Sequence, residues 1–168
     1  MKKNEKLMKE YFETKGVPQR CALLKKIVLN CEEYTKDFFY QAYKKERYLD
    51  MRLMAIRGYA HFASEEEVDV LMKKMLGFLI KIPNHTPYAY EEYAYLRSEF
   101  LIKFLLKKYN YKSFRVFNEQ LEKQYNDMPE VYHDLFSWDE NGEHYNIKDP
   151  EEAWDAIRKF DKEREKNK

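Results

Sequence analysis

An all-α fold of stacked antiparallel helix pairs is what this sequence predicts, and three observations predict it. Turn residues are scarce: four Gly and five Pro punctuate 168 residues, far fewer than a sandwich or barrel of many short strands requires. Apolar residues make up 44% of the chain and recur at three- and four-residue intervals, the spacing of one helix face. An arginine followed by apolar residues at plus three and plus seven also returns. Arg20 precedes Leu23 and Ile27, Arg52 precedes Ala55 and Tyr59, and Arg97 precedes Phe100 and Phe104, at spacings of 32 and 45 residues. A helix pair cannot bury both of its faces alone, so recurring pairs stack. The length suits one domain over 1–168: an N-terminal helix in 1–15, three helix pairs over 16–128, and a C-terminal cap over 129–168.

The elements follow in order. Leu7, Met8, Tyr11 and Phe12 lie at helical spacing in residues 3–13, and Gly16 ends that helix. Pro18 suits the first turn of the next, which turns Ala22, Leu23, Ile27 and Val28 inward. The segment 32–46 continues as a helix through Phe38, Phe39 and Ala42. Met51, Met54, Ala55, Tyr59 and Phe62 share one broad face of the fourth helix. Ser64 with Glu67 three residues later is a capping box, which starts a helix over 65–81 striped by Val68, Leu71, Met75, Leu76 and Leu79. The glutamates after Ser64 sit at the positive end of that helix dipole. Thr86 as cap and Pro87 in the first turn predict one long helix to about Lys108, heaviest at Phe100, Leu101, Phe104 and Leu105. A further helix runs over 112–126 through Phe114, Phe117, Leu121 and Tyr125. Beyond Pro129 a short helix is expected in 129–136. The polar 137–147 segment with Asn141-Gly142 predicts a turn or small hairpin. Asp149 as cap, with Glu152 at the reciprocal position, then starts a last helix whose inner face is Trp154, Ile157 and Phe160.

Residues 49–76, "LDMRLMAIRGYAHFASEEEVDVLMKKML", resemble the core of a HEAT repeat. Asp50 and Arg52 stand at the start of the first helix, Ala55 and Gly58 are the small packing positions, and a capped second helix follows. The likeness is good over 47–82, weak over 17–46 and 88–127, where Leu23 and Phe100 replace the small residue, and does not reach 130–168. It implies an α-α superhelix in which the second helices line a concave side, and a scaffold for protein recognition. Small bacterial immunity proteins share this size and helical class, so an immunity or regulatory role is one expected setting. The alternative is a nucleic-acid-binding protein resembling HEAT-like DNA alkylation-repair glycosylases, for which Phe136–Glu140 and Trp154 supply indoles and an acid.

Charge weighs against that alternative. There are 31 basic and 30 acidic residues, a net charge of +1, whereas phosphate contacts dominate DNA affinity and call for a basic face. The N-terminus lacks the apolar segment of a signal peptide, and lysines break the greasiest run, so the expectation is a cytoplasmic protein without a membrane span. Cys21 and Cys31 lie ten residues apart, about 15 Å along a helix, too far for a disulfide. They are read as reduced thiols, with Cys21 in the core.

No catalytic, cofactor-binding or metal-binding motif stands out, so the reading is not an enzyme and no cofactor. His61, His85, His133 and His144 show no metal-ligand spacing, although His133-Asp134 and Glu143-His144 would approach one another if 137–142 reverses the chain. Fifteen tyrosines, clustered at Tyr88, Tyr90, Tyr93 and Tyr95, suit both packing and recognition. A protein partner is therefore expected on the polar faces of the second helices, at Tyr40, Lys44, Asp69, Lys73, Arg115, Glu119 and Glu122, with Trp138 from the hairpin.

Overall fold

The chain, seen in a computed structural model, is described over residues 2–81, 89–109 and 111–168. It is mostly helical. In order come α1 (Lys3–Glu13), α2 (Val17–Leu29), α3 (Lys36–Lys45), α4 (Leu49–Ala60), α5 (Glu65–Lys81), α6 (Ala89–Leu96), α7 (Ile102–Tyr109) and α8 (Lys112–Asn126). A two-stranded antiparallel hairpin, β1 (Phe136–Trp138) and β2 (His144–Asn146), precedes α9 (Pro150–Lys166).

Helix α4 is the centre. From Leu53 to Ala60 every residue is buried, which is why its sequence is apolar all round rather than striped. It packs on α2, α3, α5 and α6, most extensively on α3, while α5 and α6 each pack on α8. Gly58 allows the α3 contact: a Cβ built there would stand 2.5 Å from the Phe39 ring. The expected small positions are thus buried, Ala55 completely, and Leu76 packs half-buried against the same core.

Local signals hold at both predicted caps. Ser64 Oγ accepts from the Glu67 amide at 3.2 Å while Glu67 Oε1 accepts from the Ser64 amide at 3.0 Å. Asp149 Oδ1 accepts from the Glu152 amide at 3.0 Å. Partly buried ion pairs tie neighbouring segments. Arg20 forks onto Glu46 at 2.8 and 3.1 Å, and the Tyr11 hydroxyl donates to the same carboxylate at 2.5 Å. Arg97 forks onto Glu122 at 2.9 Å twice, with its guanidinium 4.0 Å over the Tyr125 ring.

Several expectations need correction. The long helix to Lys108 is broken between α6 and α7. Ser98 Oγ donates to the Tyr95 carbonyl at 2.7 Å and Arg57 donates to the Phe100 carbonyl at 2.8 Å, so side chains take the acceptors a continuous helix would use. The helix expected over 32–46 opens with a 3-10 turn at Glu33–Thr35, and the one expected in 129–136 is only a 3-10 turn at Glu130–Tyr132. Ala22 faces out. Trp154 is 49% exposed because α9 buries only Ile157 and packs chiefly on the 130–132 turn. His85, Thr86, Pro87 and Tyr88 lie outside the described residues.

Candidate functional site

A cleft of about 610 Å³ opens where α2, the start of α4, α6 and the hairpin meet. Its aromatic walls are Tyr48, Tyr95 and Trp138, and its carboxylates are Asp50, Glu91 and Glu92. Each wall has a local cause. Tyr48 is the residue before the first turn of α4, and Asp50 sits in that turn, an acid at the positive helix end. Glu92 and Tyr95, three apart on α6, lie on one side of the helix.

The hairpin closes the fourth side, and the helices hold its tip. Lys25 Nζ donates to the Gly142 carbonyl at 2.9 Å, Arg57 donates to the Glu140 carbonyl at 3.3 Å, and Lys107 pairs with the Glu140 carboxylate at 3.1 Å. The tip itself is shaped by Asp139, whose Oδ1 accepts from the amides of Asn141 and Glu143 at 2.8 and 2.9 Å. Gly142 closes the turn at φ +77°, in the left-handed region that favours glycine. This docking sets Trp138 edge-on against Tyr95, ring centres 4.6 Å apart.

The electrostatics of the cleft are one-sided. Burial pushes the Asp50 carboxyl up, although backbone amides oppose it and the Glu46 charge adds to it. Burial and the Asp50 charge push Glu92 up as well. Among the described residues neither has an ion-pair partner. Lys25, the cation on the cleft wall, gives its short contact to the Gly142 carbonyl and stands 3.8 Å from Glu143. Cys21, expected in the core, instead lines the cleft half-buried, and burial raises its thiol to about 11. The raised value disfavours the thiolate. Both cysteines are free.

A second cleft, about 580 Å³, lies between α3 and α5 and includes Tyr40, Tyr59, Lys36 and Glu67. There the charges answer one another: Lys36 pairs with Glu67 at 3.2 Å and the Tyr59 hydroxyl donates to Glu67 at 3.0 Å.

The residues expected to meet a partner are therefore divided. Tyr40 lines the second cleft, with Lys44 Nζ 5.2 Å over its ring. Asp69 and Lys73 pair with each other along α5 at 2.8 Å. Arg115 and Glu119 are exposed on α8, and Glu122 is held by Arg97. Trp138 alone of the set reaches the larger cleft. His133 and His144 do not converge: His133 stacks on Tyr125, while His144 packs on Phe136 and Trp138. Among the described residues no group of His, Cys, Asp and Glu is placed to hold a metal ion, and no helix is long and apolar enough to cross a membrane.

Sequence reasoning missed Tyr48, Glu91 and Glu92, and saw Asp50 only as a helix-start residue. Four separate segments supply the cleft, so no local spacing marks it. No protein-family model, curated protein or solved structure matches the chain.

Proposed function

We propose that this chain is a small helical-repeat scaffold that binds a protein partner, with the cleft between α2, α4, α6 and the hairpin as its recognition site. The reading rests on one observation above all. Aromatic faces and carboxylates that make no ion pair among the described residues converge in one roomy cleft, and a hairpin is clamped at its tip to complete it. Asp50 and Glu92 are half-buried and Glu91 is exposed; partial burial makes ionising the first two costlier, and rigid aromatics in the same lining are what recognition surfaces use. The HEAT-like reading of the fold is supported by the packing of α2 on α4 and α4 on α6, with α5 on α8. In this reading the protein serves an immunity or regulatory role and recognises rather than catalyses.

The acid wall also weighs against the nucleic-acid alternative, because phosphates would meet Asp50, Glu91 and Glu92. A random peptide library displayed on phage tests the proposal directly. Enriched peptides are expected to perturb the backbone amides of Asp50, Glu92, Tyr95 and Trp138 in an NMR titration. Failure to enrich any peptide, or binding of duplex DNA at low salt with the same amides affected, would sink it.

A further inference from the structure

Arg97 and Arg20 each fork onto a carboxylate, and a tyrosine approaches each pair. Arg97 bonds both oxygens of Glu122 and lies 4.0 Å over Tyr125. Arg20 bonds both oxygens of Glu46, which also accepts from Tyr11. The large cleft brings the same two chemistries, carboxylate and aromatic ring, into one lining, and no arginine is among the described residues that line it. Asp50, Glu91 and Glu92 stand among Tyr48, Tyr95 and Trp138. The undescribed stretch 82–88, "IPNHTPY", contains no Lys or Arg in its sequence.

We propose that the cleft receives an arginine side chain of the partner protein, its guanidinium forked onto Asp50 and Glu92 and stacked against Trp138 or Tyr95. This rests on the scaffold reading above and names what the scaffold recognises. The chemistry selects arginine over lysine. A guanidinium is planar, weakly hydrated and presents parallel donors that match a carboxylate while its face covers an aromatic ring. An ammonium is a strongly hydrated point charge that meets only one of those demands well. The cleft at about 610 Å³ has room for a long side chain with part of its backbone, so an arginine enters from an exposed loop or terminus. An anionic or neutral group would leave the carboxylates uncompensated.

The test is a titration of the full chain with Nα-acetyl-arginine methylamide, followed by proton–nitrogen correlation spectra. The two indoles report separately, since Trp138 lines the cleft and Trp154 lies on α9. A lone side chain binds at about millimolar strength, so the titration runs at matched ionic strength. Expected are saturable shifts of the Trp138 indole and of the Asp50 and Glu92 amides, with the Trp154 indole still. The citrulline derivative, neutral but of the same shape, should bind at least tenfold more weakly, and the lysine derivative several-fold more weakly. The double variant Asp50→Asn, Glu92→Gln should lose at least tenfold while keeping its circular dichroism. A single Trp138→Leu variant gives a second reading should the double variant misfold.

Equal response to citrulline, an unaltered response in the variants, or shifts centred outside the cleft would each overturn the assignment. The peptide selection separates the two levels. Cleft-binding peptides without arginine would remove the arginine and leave the scaffold. Saturable shifts with the derivative but no selected peptide would replace the partner's side chain with a free guanidine, and so overturn this proposal.

Discussion

Arg57 lies with its guanidinium carbon 3.7 Å from the centre of the Phe104 ring, buried and with no ion-pair partner among the described residues. Burial pulls its pKa down to about 10, so at neutral pH it is still a cation. Its charge is met by the faces of Phe104 and Phe100 and by the carbonyls of Phe100 and Glu140. One side chain thus joins α4 to the α6–α7 break and to the hairpin tip.

Arg57→Met keeps the bulk and removes the donors, leaving the Phe100 carbonyl unpaired where α7 begins. The expected loss is about 2–3 kcal/mol in urea unfolding, the scale of a buried acceptor stranded together with a lost cation–π contact. Arg57→Lys restores charge without the planar fork and should recover less than half of it.

Gly58→Ala sets two effects against each other. Alanine favours a helix interior by about 1 kcal/mol over glycine, but its Cβ would fall 2.5 Å from the Phe39 ring. Overpacking of a filled core costs about 1–3 kcal/mol, so the net change is destabilising. Combining it with Phe39→Leu should cancel most of the clash term, and strict additivity in that double-mutant cycle would refute the contact.

His61 carries a pH dependence. Burial first, then the charges of Lys108 and Arg57, lower its pKa to about 4, and its Nδ1 stands 2.8 Å from the Tyr109 hydroxyl. The folded state binds its proton less readily than the unfolded chain does. Stability is therefore full above about pH 6.5 and falls as the pH drops toward 4, by on the order of 2 kcal/mol. His61→Gln should flatten that slope in denaturation midpoints measured across the window. An unchanged slope would mean the ring is solvated.

Asp50 and Glu92 predict the opposite sign. Their carboxyls are raised in the folded state, so ionisation at neutral pH works against folding. Asp50→Asn with Glu92→Gln should raise the melting temperature at pH 7. The gain should fade as the pH falls through the raised carboxyl range, where the native groups are themselves neutral. A variant that binds less and melts higher is the signature of a site held at the expense of stability.

Much of the helical order is legible in the sequence because its signals are local. The Ser64–Glu67 box and the Asp149 cap need only their own few residues; the first forms in both directions, and at the second Asp149 accepts from the Glu152 amide. The break after Leu96 carries no Gly or Pro. It is imposed from outside the segment by Arg57 reaching the Phe100 carbonyl, a contact 43 positions distant in sequence. Trp154 misleads for the complementary reason. Its spacing with Ile157 and Phe160 describes a helix face, but only packing decides how far that face is covered. The cleft was the least legible feature, since Lys25, Asp50, Glu92 and Trp138 share no periodicity. Trp138 was found because a tryptophan in a polar hairpin is conspicuous by itself.

The clamp on the hairpin tip orders events in time as well as in space. A ribosome makes α2, α4 and α6 before residues 136–146, so the fourth side of the cleft is the last to be synthesised. A four-walled cleft therefore exists only once the hairpin has been made, and a chain halted before Phe136 would lack Trp138 and the backbone acceptors of Lys25 and Arg57 at the hairpin tip.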